Sequence, residues 1–528
     1  MKKILYITLA SILLVAGYVK AEKKGKSERP NIIFLLTDDQ RFNALGCMGN
    51  DEIQTPNIDK LAAKGIMFTQ HYNPTAICMG ARATIMTGMY EHKTGCNFSH
   101  GALHPDKFEL SYPMLMKKAG YAVGFAGKFG YAVKSGGNSS YHKYEDLPVD
   151  KFDWWKGWPG QGEYNTAENK YMAEYAEEYP HVSRALGAAA KDFMTEYGHK
   201  EKPFCLSISF KAPHGPVSPD PDFDDVYAGK DFAEEENYWR ENGEHLSKQS
   251  KQGRQYKKLG DYWKPEKYDV SLAKYYQLIY GIDQAVGMIL EELEKQGLAD
   301  NTIILYTTDN GYHCGAHGFG GKVLPYEEGS RAPLLVYAPN AKGNGKLSNA
   351  LTSNIDMAPT MLDLAGVEIP TNMDGKSLVT LFDKPNKEVR DHDILIQAWG
   401  ENPTHCLSVV ADQYKYLYWF YGKEMEPVEE LFCLKDDEGE MNNLINDAAH
   451  AKQLAKMRKL YDAEVEEWKV EAVKDHGYEK YGILFDRHIP WSEKTGLMKE
   501  PKPEKEKKSK DKKKGKGDKK KKKQNNCK

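Results

Sequence analysis

One apolar run that ends in two acidic residues constrains the fold of this 528-residue chain more than any other feature. From Asn31 the run reads Asn-Ile-Ile-Phe-Leu-Leu-Thr, and Asp38 and Asp39 follow it directly. Because it is apolar at successive positions, the run is typical of a strand buried on both faces of a parallel sheet. Ligands of open α/β sheets gather at the carboxyl ends of such strands. We therefore expect Asp38 and Asp39 to face a ligand site.

The same pattern of strands and helices continues through the first 385 residues. We predict strands at 121–126, 204–210, 302–307 and 334–337, and helices at 59–64, 111–119, 268–296 and 355–365. This alternation indicates an α/β domain at residues 22–385, with a large, mostly parallel central sheet flanked by helices. The segment 133–252 is rich in Tyr, Glu, Gly and Trp and predicts inserted loops and helices. Insertions of this kind commonly shape substrate pockets.

The pattern changes after about residue 383. Short strands are predicted at 394–397, 406–411 and 414–418, with a tight turn at Asp412-Gln413 between the last two. A polar segment at 436–443 and a helix at 448–468 follow. We therefore expect a smaller C-terminal α+β subdomain at residues 386–490, built on an antiparallel sheet.

The two ends of the chain differ in composition from the rest. Lys2 and Lys3 precede an apolar run at 4–19, and Val19-Lys20-Ala21 places small residues at the expected cleavage positions. Residues 1–21 therefore predict a signal peptide and export to the periplasm or the medium. At the other end, residues 491–528 predict a disordered, Lys-rich tail that cannot bury enough apolar surface to fold.

The distribution of charge limits the classes of partner. From residue 501 onward, 15 lysines stand against four acidic residues, so this part carries +11; because the whole chain carries −3, the remainder carries −14. An acidic body of this kind is not typical of a nucleic-acid-binding fold. No apolar stretch after the N-terminal run is long enough to span a bilayer, so we expect no stable membrane insertion.

A cysteine and an arginine in the segment 73–88 suggest nucleophilic chemistry. The segment reads Asn-Pro-Thr-Ala-Ile-Cys78-Met-Gly-Ala-Arg82-Ala-Thr-Ile-Met-Thr-Gly88. If a helix begins near Cys78, its free N–H groups favour an anion at that end, and Arg82 lies on the same face. A nucleophile beside a fixed positive charge suits attack on an anionic ester. Taken alone, the spacing also fits a buried structural thiol beside a surface arginine.

Other polar residues follow predicted strands at the same edge of the sheet. Asp38, Asp39, Asp309 and Asn310 offer oxygen ligands that suit a hard cation such as Ca²⁺ or Mg²⁺. None of the eight cysteines forms a Cys-x2-Cys pair, which argues against a zinc site. Three further candidates, each of which alone could be an ordinary loop residue, lie at or after strand exits: Lys128, His214 and Lys322.

Together these segments resemble the type I sulfatases of the alkaline phosphatase superfamily. The family's activation motif is usually Cys-x-Pro-Ser-Arg, followed by a short helix that ends in Thr-Gly. Cys78, Arg82 and Thr87-Gly88 match it, whereas Gly80 and Ala81 replace the usual Pro (or Ala) and Ser. The family converts this cysteine to formylglycine, and the hydrate of that aldehyde attacks sulfur. The resemblance covers residues 30–468 and includes the acidic segment Glu429–Leu444.

The resemblance implies a role for each candidate residue. It implies that one calcium ion is held by Asp38, Asp39, the modified Cys78, Asp309 and Asn310. It implies that the hydrated aldehyde and the sulfate are held by Arg82, Lys128 and Lys322. His214 matches the histidine that binds sulfate or protonates the leaving oxygen, and His317 resembles a residue that supports the site. The family usually has a histidine where Gly130 stands; His71, His92, His100 or His142 are the alternatives for its role.

The resemblance therefore implies an exported, calcium-dependent sulfatase with an alkaline-phosphatase-like fold. Its partners would be a sulfated polysaccharide or oligosaccharide substrate and a formylglycine-generating maturation enzyme. Two other functions remain open at this stage. One is a phosphodiesterase or phosphonate hydrolase of the same fold, and the other is a non-catalytic relative that binds sulfated glycans and whose Cys78 is never converted.

Overall fold

A computed structural model describes residues 29–136, 141–398, 404–422, 424–474 and 476–497. The predicted signal peptide at 1–21 and most of the predicted Lys-rich tail lie outside these residues. Within them the chain forms a central eight-stranded sheet, a two-stranded sheet and a four-stranded sheet. The predicted fold class, a mostly parallel α/β sheet followed by a smaller antiparallel sheet, is confirmed.

The central sheet has the strand order β5-β4-β6-β1-β7-β8-β2-β9. Its strands are β1 (Asn31–Asp38), β2 (Ile66–Phe68), β4 (Ala122–Lys128), β5 (Trp154–Trp158), β6 (Phe204–Pro213), β7 (Thr302–Thr308), β8 (Leu334–Tyr337) and β9 (Lys346–Ser348), while β3 (His71–Tyr72) pairs separately with β10 (Thr352–Ser353). Strand β8 runs antiparallel to β7 and β2, and the other pairs are parallel. Strand β1 is wholly buried and pairs in parallel with β6 on one side and β7 on the other. Its carboxyl end therefore lies between those of β6 and β7.

Helices cover both faces of the central sheet. The helices before the C-terminal sheet are α1 (Pro56–Lys64), α2 (Cys78–Thr87), α3 (Glu91–Thr94), α4 (Pro105–Phe108), α5 (Tyr112–Lys118), α6 (Val182–Tyr197), α7 (Tyr268–Lys295), α8 (Glu327–Ser330), α9 (Met357–Leu364) and α10 (Val379–Asp383). Apolar residues of α1, α6 and α7 form one core with the sheet, and those of α2, α5 and α9 form a second core on the opposite face. The layers are therefore helix, sheet and helix.

The C-terminal sheet is an antiparallel meander. It consists of β11 (His392–Gln397), β12 (Thr404–Ala411), β13 (Tyr414–Tyr421) and β14 (Met425–Cys433), and the last helices are α11 (Ala451–Glu471), α12 (Glu479–Leu484) and α13 (Trp491–Lys494). Helices α11 and α12 cover one face and form a third core with it. Strand β14 is an element that the sequence pattern does not predict, because three glutamates interrupt its apolar residues.

The tail begins later than the composition predicts. Helix α13 and the turn Thr495–Leu497 lie inside the segment 491–528 that we expected to be disordered. Trp491 packs against the C-terminal core, and the buried Lys494 donates a hydrogen bond to the hydroxyl of Tyr418 at 2.8 Å. These contacts extend the folded part at least to Leu497, and residues 498–528 lie outside the described residues. In the described part of the chain, no helix has both the length and the apolar character needed to cross a bilayer.

Candidate active site

The carboxyl end of β1 brings two carboxylates to one cluster of polar side chains. Asp38 ends the strand opposite Pro213 of β6, and Asp39 follows with a φ of 69°. That left-handed conformation is uncommon for a residue other than glycine. It turns the chain so sharply that consecutive side chains, which would point to opposite faces of an extended strand, both reach the same site. Both residues are buried.

Cys78 lies at the first position of α2, as predicted, and faces these carboxylates. Its Sγ is 2.6 Å from Nζ of Lys322 and 3.6 Å from Oδ1 of Asp38. All ten residues of α2 are buried, so the helix has no solvent-facing side. Burial, helped by the nearby carboxylate of Asp38, raises the pKa of the Cys78 thiol to about 11. An unmodified Cys78 would therefore be a protonated thiol, which is a poor nucleophile at neutral pH.

Arg82 connects four strands of the central sheet from the next turn of α2. Its Nε lies 2.7 Å from Oδ2 of Asp309, and its Nη2 lies 3.3 Å from Oδ2 of Asp38. Its Nη1 donates to the carbonyl of Lys128 at 2.7 Å and also contacts the hydroxyl of Ser209. The guanidinium is 2 % exposed. This planar group thus fixes the relative positions of β1, β4, β6 and β7 around the candidate site, as a rigid fork of donors can.

Two lysines complete a positive lining around Asp38. Lys128, the last residue of β4, is fully buried and pairs with Asp38. Lys322 pairs with Asp39 and lies 3.7 Å from Oδ1 of Asp38. Burial opposes the charge on Asp38, but the surrounding cations, Lys128 first, hold the pKa of its carboxyl well below the usual range. Burial also disfavours the charged form of Lys322, yet the carboxylates and Cys78 around it raise its pKa. The site therefore alternates charges at close range.

His214 approaches the same carboxylates from the loop after β6. Its Nε2 is 3.8 Å from Oδ2 of Asp39, and its Nδ1 contacts the carbonyl of Gly215 at 2.5 Å. Burial lowers the pKa of the imidazole to about 4. The resting side chain is therefore neutral near pH 7, with a proton on Nδ1 and an acceptor at Nε2. From the insertion, Tyr164 donates its hydroxyl proton to the carbonyl of His214 at 2.6 Å.

The residues present fit a hard cation. Ligand atoms of Asp38, Asp39, Cys78 and His214 all lie within 4.8 Å of one another. Asn310 lies beside them, and its Nδ2 donates to Oδ1 of Asp39 at 2.6 Å. Its Oδ1 is buried and has no hydrogen-bond partner among the described residues. A buried amide oxygen without a donor, next to several carboxylates, is what a cation with oxygen ligands would satisfy.

Asp309 is held differently from the other predicted ligands. One oxygen pairs with Arg82, and the other accepts from the backbone N–H of Asp39 at 3.4 Å. Burial, reinforced by the neighbouring Asp38, raises the pKa of its carboxyl. A cation near these two aspartates would relieve their mutual repulsion. The structure thus brings together all nine candidate residues: Asp38, Asp39, Cys78, Arg82, Lys128, His214, Asp309, Asn310 and Lys322.

The structure explains why position 130 cannot hold the histidine that is usual in the family. Gly130 has a φ of 88°, and a Cβ atom there would lie 2.5 Å from Cδ of Arg82. A side chain at 130 would therefore displace the central arginine of the site. The four alternative histidines are engaged elsewhere: His71 bonds to Thr352 and Asn354, His92 stacks on Trp468, His100 contacts the carbonyls of Ala398 and His476, and the exposed His142 packs against the ring of Tyr141.

Gly80 has a comparable packing reason. A Cβ atom on Gly80 would lie 2.8 Å from Oε2 of Glu91 and 2.8 Å from Cγ2 of Thr75. Glu91 is fully buried and its other oxygen accepts from Asn97 and from Tyr478, which belongs to the C-terminal part of the chain. The carboxyl group of Glu91 therefore occupies the space that a proline or alanine at position 80 would need.

Comparison with known proteins identifies the family. The sulfatase family model matches residues 30–367, which is more than half of the chain and contains all nine candidate residues. The chain belongs to the sulfatase family. A second model, the C-terminal domain of N-sulphoglucosamine sulphohydrolase, matches residues 315–467. Members of this family are sulfuric ester hydrolases, and the fold is that of the alkaline phosphatase superfamily.

Several relatives are similar to this sulfatase over most of their length. An N-acetylglucosamine-6-O-sulfatase of Bacteroides thetaiotaomicron is 29% identical, with 85% of this chain and 88% of that protein covered. An ulvan-active sulfatase of Formosa agariphila is 26% identical, with 89% and 88% covered. A structure solved with its substrate D-glucosamine-2-N,6-O-disulfate has a TM-score of 0.68 and 25% identity, with 84% of this chain and 98% of that chain covered.

A phosphonate monoester hydrolase of Agrobacterium radiobacter also has the same fold. It superposes with a TM-score of 0.66 at 22% identity, over 83% of this chain and 96% of that one. At this identity the similarity concerns the fold alone.

Some residues that build the site were missed by the sequence interpretation. Ser209 contacts Arg82 from β6, and Tyr275 of α7 contacts the backbone on both sides of Gln40. His317, which the resemblance had named as a supporting residue, bonds to Asn237 and to the carbonyl of Asn242. Ser209 lies on the predicted strand 204–210, five residues before His214 in the loop that follows, so strand alternation offered a weak signal for it. Tyr275 gave none, because it is one of many tyrosines in a long helix.

Proposed function

We propose that this sulfatase hydrolyses sulfate esters of a carbohydrate through a formylglycine made from Cys78, with one bound calcium ion. The observation that carries the proposal is the position of Cys78. Its Sγ lies at the amino end of a buried helix, 2.6 Å from the ammonium of Lys322 and 3.6 Å from a carboxylate oxygen of Asp38. The sulfur stands where a nucleophile would face both a bound cation and an anionic ester.

The modified residue and the metal would supply two functions that the unmodified chain lacks. Formylglycine hydrate supplies the attacking hydroxyl, and calcium, held by Asp38, Asp39, Asp309 and Asn310 together with residue 78, neutralises sulfate oxygens. The raised pKa of the Cys78 thiol supports a modified residue, because the protonated thiol is a weak nucleophile.

The chain's own cations would bind the sulfate and stabilise the charge that develops during attack. Lys128 contacts Oδ2 of Asp38, Lys322 lies 3.7 Å from its Oδ1, and both lysines are buried. Arg82 lies behind them and fixes the nucleophile-bearing helix against Asp309. Preorganised charges of this kind, acting away from water, commonly contribute the largest part of the lowering of the barrier.

His214 is the residue from which the leaving alcohol would take its proton. The resting imidazole is neutral, since burial lowers its pKa to about 4. A sulfate ester that enters beside Nε2 brings a negative charge, which favours the protonated form. As the bond between sulfur and the ester oxygen breaks, the alcohol oxygen would receive the proton from Nε2 and leave as the alcohol.

The insertion between β4 and β6 is the proposed source of substrate specificity. Tyr164 contacts the carbonyl of His214, and Lys211 donates to the carbonyl of Gly162 at 2.7 Å. Residues 162–164 therefore border the loop that carries the proposed acid. Relatives named for N-acetylglucosamine-6-sulfate and for ulvan support a sulfated saccharide as the substrate class.

Export and maturation are parts of the same proposal. Residues 1–21 have the composition of a signal peptide, and a maturation enzyme would be needed to convert Cys78. We propose a periplasmic or secreted location. N-terminal sequencing of the protein recovered outside the cytoplasm should start near Glu22, and recovery only from the cytoplasm with Met1 or Lys2 intact would contradict it.

The proposed activity is tested with a matched pair of cysteine variants. We expect the wild-type protein to release sulfate from N-acetylglucosamine-6-sulfate or an aryl sulfate, as measured by ion chromatography. Cys78→Ala should release none. Cys205→Ala, which removes a buried thiol near the amino end of β6, should keep the activity.

Other outcomes of the assay would replace the proposal. Hydrolysis of a phenylphosphonate ester without hydrolysis of any sulfate ester would favour the phosphonate hydrolase. Binding of a sulfated glycan without release of sulfate would favour a non-catalytic relative. Full activity in Cys78→Ala would exclude residue 78 as the nucleophile.

A further inference from the structure

The backbone that carries Asp39 is in a conformation that needs support. Its φ of 69° is left-handed, a conformation that is unfavourable for an L-residue relative to the usual regions. In an extended continuation of β1, the side chain of Asp39 would point to the opposite face from that of Asp38. The left-handed turn is therefore what allows both carboxylates to face Cys78.

One buried hydroxyl spans this turn. The hydroxyl of Tyr275 donates to the carbonyl of Asp39 at 2.6 Å and accepts from the backbone N–H of Arg41 at 2.9 Å. Tyr275 is 2 % exposed and lies on α7, the 28-residue helix that packs against the central sheet. It therefore connects the metal-binding turn to the longest rigid element of the domain, 236 residues away in sequence.

The same side chain also borders the second loop of the site. The ring of Tyr275 packs 6.1 Å from the ring of Tyr312, which follows Asp309-Asn310-Gly311. Both loops that carry predicted metal ligands thus meet one tyrosine. No water or ion is needed to explain the position of its hydroxyl, because its donor and its acceptor capacity are both used by the turn.

We propose that Tyr275 is a positioning residue for the calcium site: its hydroxyl fixes the left-handed turn at Asp39 and so aims the Asp39 carboxylate at the cation. This inference rests on the proposed calcium-dependent function. It predicts that loss of the hydroxyl weakens calcium binding while the bound enzyme keeps its chemistry.

Other contacts keep the fold of this segment intact without Tyr275. The side chain of Gln40 accepts hydrogen bonds from Thr37 at 2.8 Å and from Tyr306 at 2.6 Å. Its backbone N–H donates to the hydroxyl of Thr308 at 3.2 Å. Removing the Tyr275 hydroxyl therefore releases the backbone on either side of Gln40, and leaves the side chain of Gln40 attached to the sheet.

The next residue on α7 provides a matched control. Tyr276 is also buried, and its hydroxyl accepts a single hydrogen bond from Nδ2 of Asn50 at 2.9 Å. Tyr275→Phe and Tyr276→Phe each remove one hydroxyl and keep the ring. Calcium affinity is measured by calorimetric titration of EGTA-treated protein, the melting temperature is measured in EGTA, and sulfate release is measured as a function of calcium concentration.

We expect calcium to bind Tyr275→Phe about tenfold more weakly than the wild type, because both hydrogen bonds of the hydroxyl to the turn are lost and each contributes a modest net free energy. Saturating calcium should restore kcat to within about twofold of the wild type, because no group that touches substrate has changed. Tyr276→Phe should bind calcium like the wild type, and it should lose less melting temperature in EGTA than Tyr275→Phe, because it loses one hydrogen bond instead of two.

Two results would overturn the inference in distinguishable ways. If the wild type binds calcium and both variants bind it with the same affinity, Tyr275 does not position the site. The proposed function would be unaffected by that result. A wild-type protein that binds no calcium at all would overturn both the inference and the calcium-dependent mechanism on which it rests.

Discussion

Replacement of Arg82 by methionine separates the catalytic role of this arginine from its structural role. Arg82 contacts two buried carboxylates, those of Asp38 and Asp309, and it is 2 % exposed. Methionine keeps most of the apolar stem and removes the charge. Breaking a buried ion pair by removing one partner costs about 3–5 kcal/mol, because the other charge stays buried without compensation. We expect a loss of stability of that size in calcium-free protein.

The activity should fall for a different reason. Arg82 positions the helix that carries residue 78 and the end of β4 that carries Lys128, and misplacing reacting groups by about 1 Å can cost about 10²-fold in rate. Arg82→Met also frees the carbonyl of Lys128 and the hydroxyl of Ser209, so the end of β4 loses an anchor. We therefore expect kcat for sulfate release to fall at least 100-fold at saturating calcium.

Calcium binding should show whether Arg82→Met loses activity because the charge is gone or because the metal site is damaged. The variant loses a positive charge near the proposed cation and leaves Asp38 and Asp309 more negative. Its calcium affinity should therefore equal or exceed that of the wild type, and calcium should raise its melting temperature at least as much. Calorimetric titration and thermal unfolding with and without calcium measure these two quantities.

Arg390 is the matched control for the loss of stability. It is also a buried arginine between two buried aspartates, Asp356 and Asp393, and it lies at the start of the C-terminal part of the chain. Arg390→Met should lose a similar amount of stability and keep kcat within about twofold. A kcat for Arg82→Met within tenfold of the wild type, or an equal loss of kcat in both variants, would refute the assigned role of Arg82.

Two further predictions follow from packing and from buried histidines. Gly80→Ala should lower the unfolding free energy by about 1–3 kcal/mol, because its methyl group would stand 2.8 Å from Oε2 of Glu91. In a double-mutant cycle, Gly80→Ala should cost less stability when Glu91 has also been replaced by alanine, and strict additivity of the two changes would contradict this. Burial lowers the pKa values of His71 and His405 to about 3, so below pH 6.5 the unfolded chain binds more protons than the folded one. Each should therefore contribute stability that is fully present above pH 6.5 and falls by up to about 2 kcal/mol by pH 5. Denaturant unfolding at the two pH values measures this change in the free energy of unfolding, and His405→Gln should make the change smaller. An unchanged free energy of unfolding in the wild type would count against the prediction.

Much of the site could be predicted because its residues follow strands with clear patterns. The apolar run of β1 predicted both its burial and the position of Asp38 and Asp39 at its end. The helix that starts at Cys78 was predicted from the glycine at its end and from the spacing to Arg82. Parallel strands bring such loops to one edge, so local patterns were sufficient to place the candidate residues together.

The missed features depend on contacts between distant segments or on elements with mixed composition. The hydroxyl of Tyr275 meets Asp39 across 236 residues, and no local pattern indicates which tyrosine of α7 does so. Strand β14 contains Glu429 and Glu430, which suggest a loop; in the structure Arg458 pairs with the first, while Trp419 and Tyr326 donate to the second. The late start of the tail depends in the same way on Trp491, whose packing cannot be inferred from composition.

The identity of residue 78 in the mature protein tests the central claim most directly. Trypsin should release residues 65–82 as one peptide, with Cys78 near its end, and residues 42–60, which contain Cys47, as an internal control. In protein recovered in active form from its native host, mass spectrometry should find sulfur replaced by oxygen and two hydrogens lost in the first peptide, and an ordinary thiol in the second. An unmodified Cys78 in protein that releases sulfate at full rate would contradict the account.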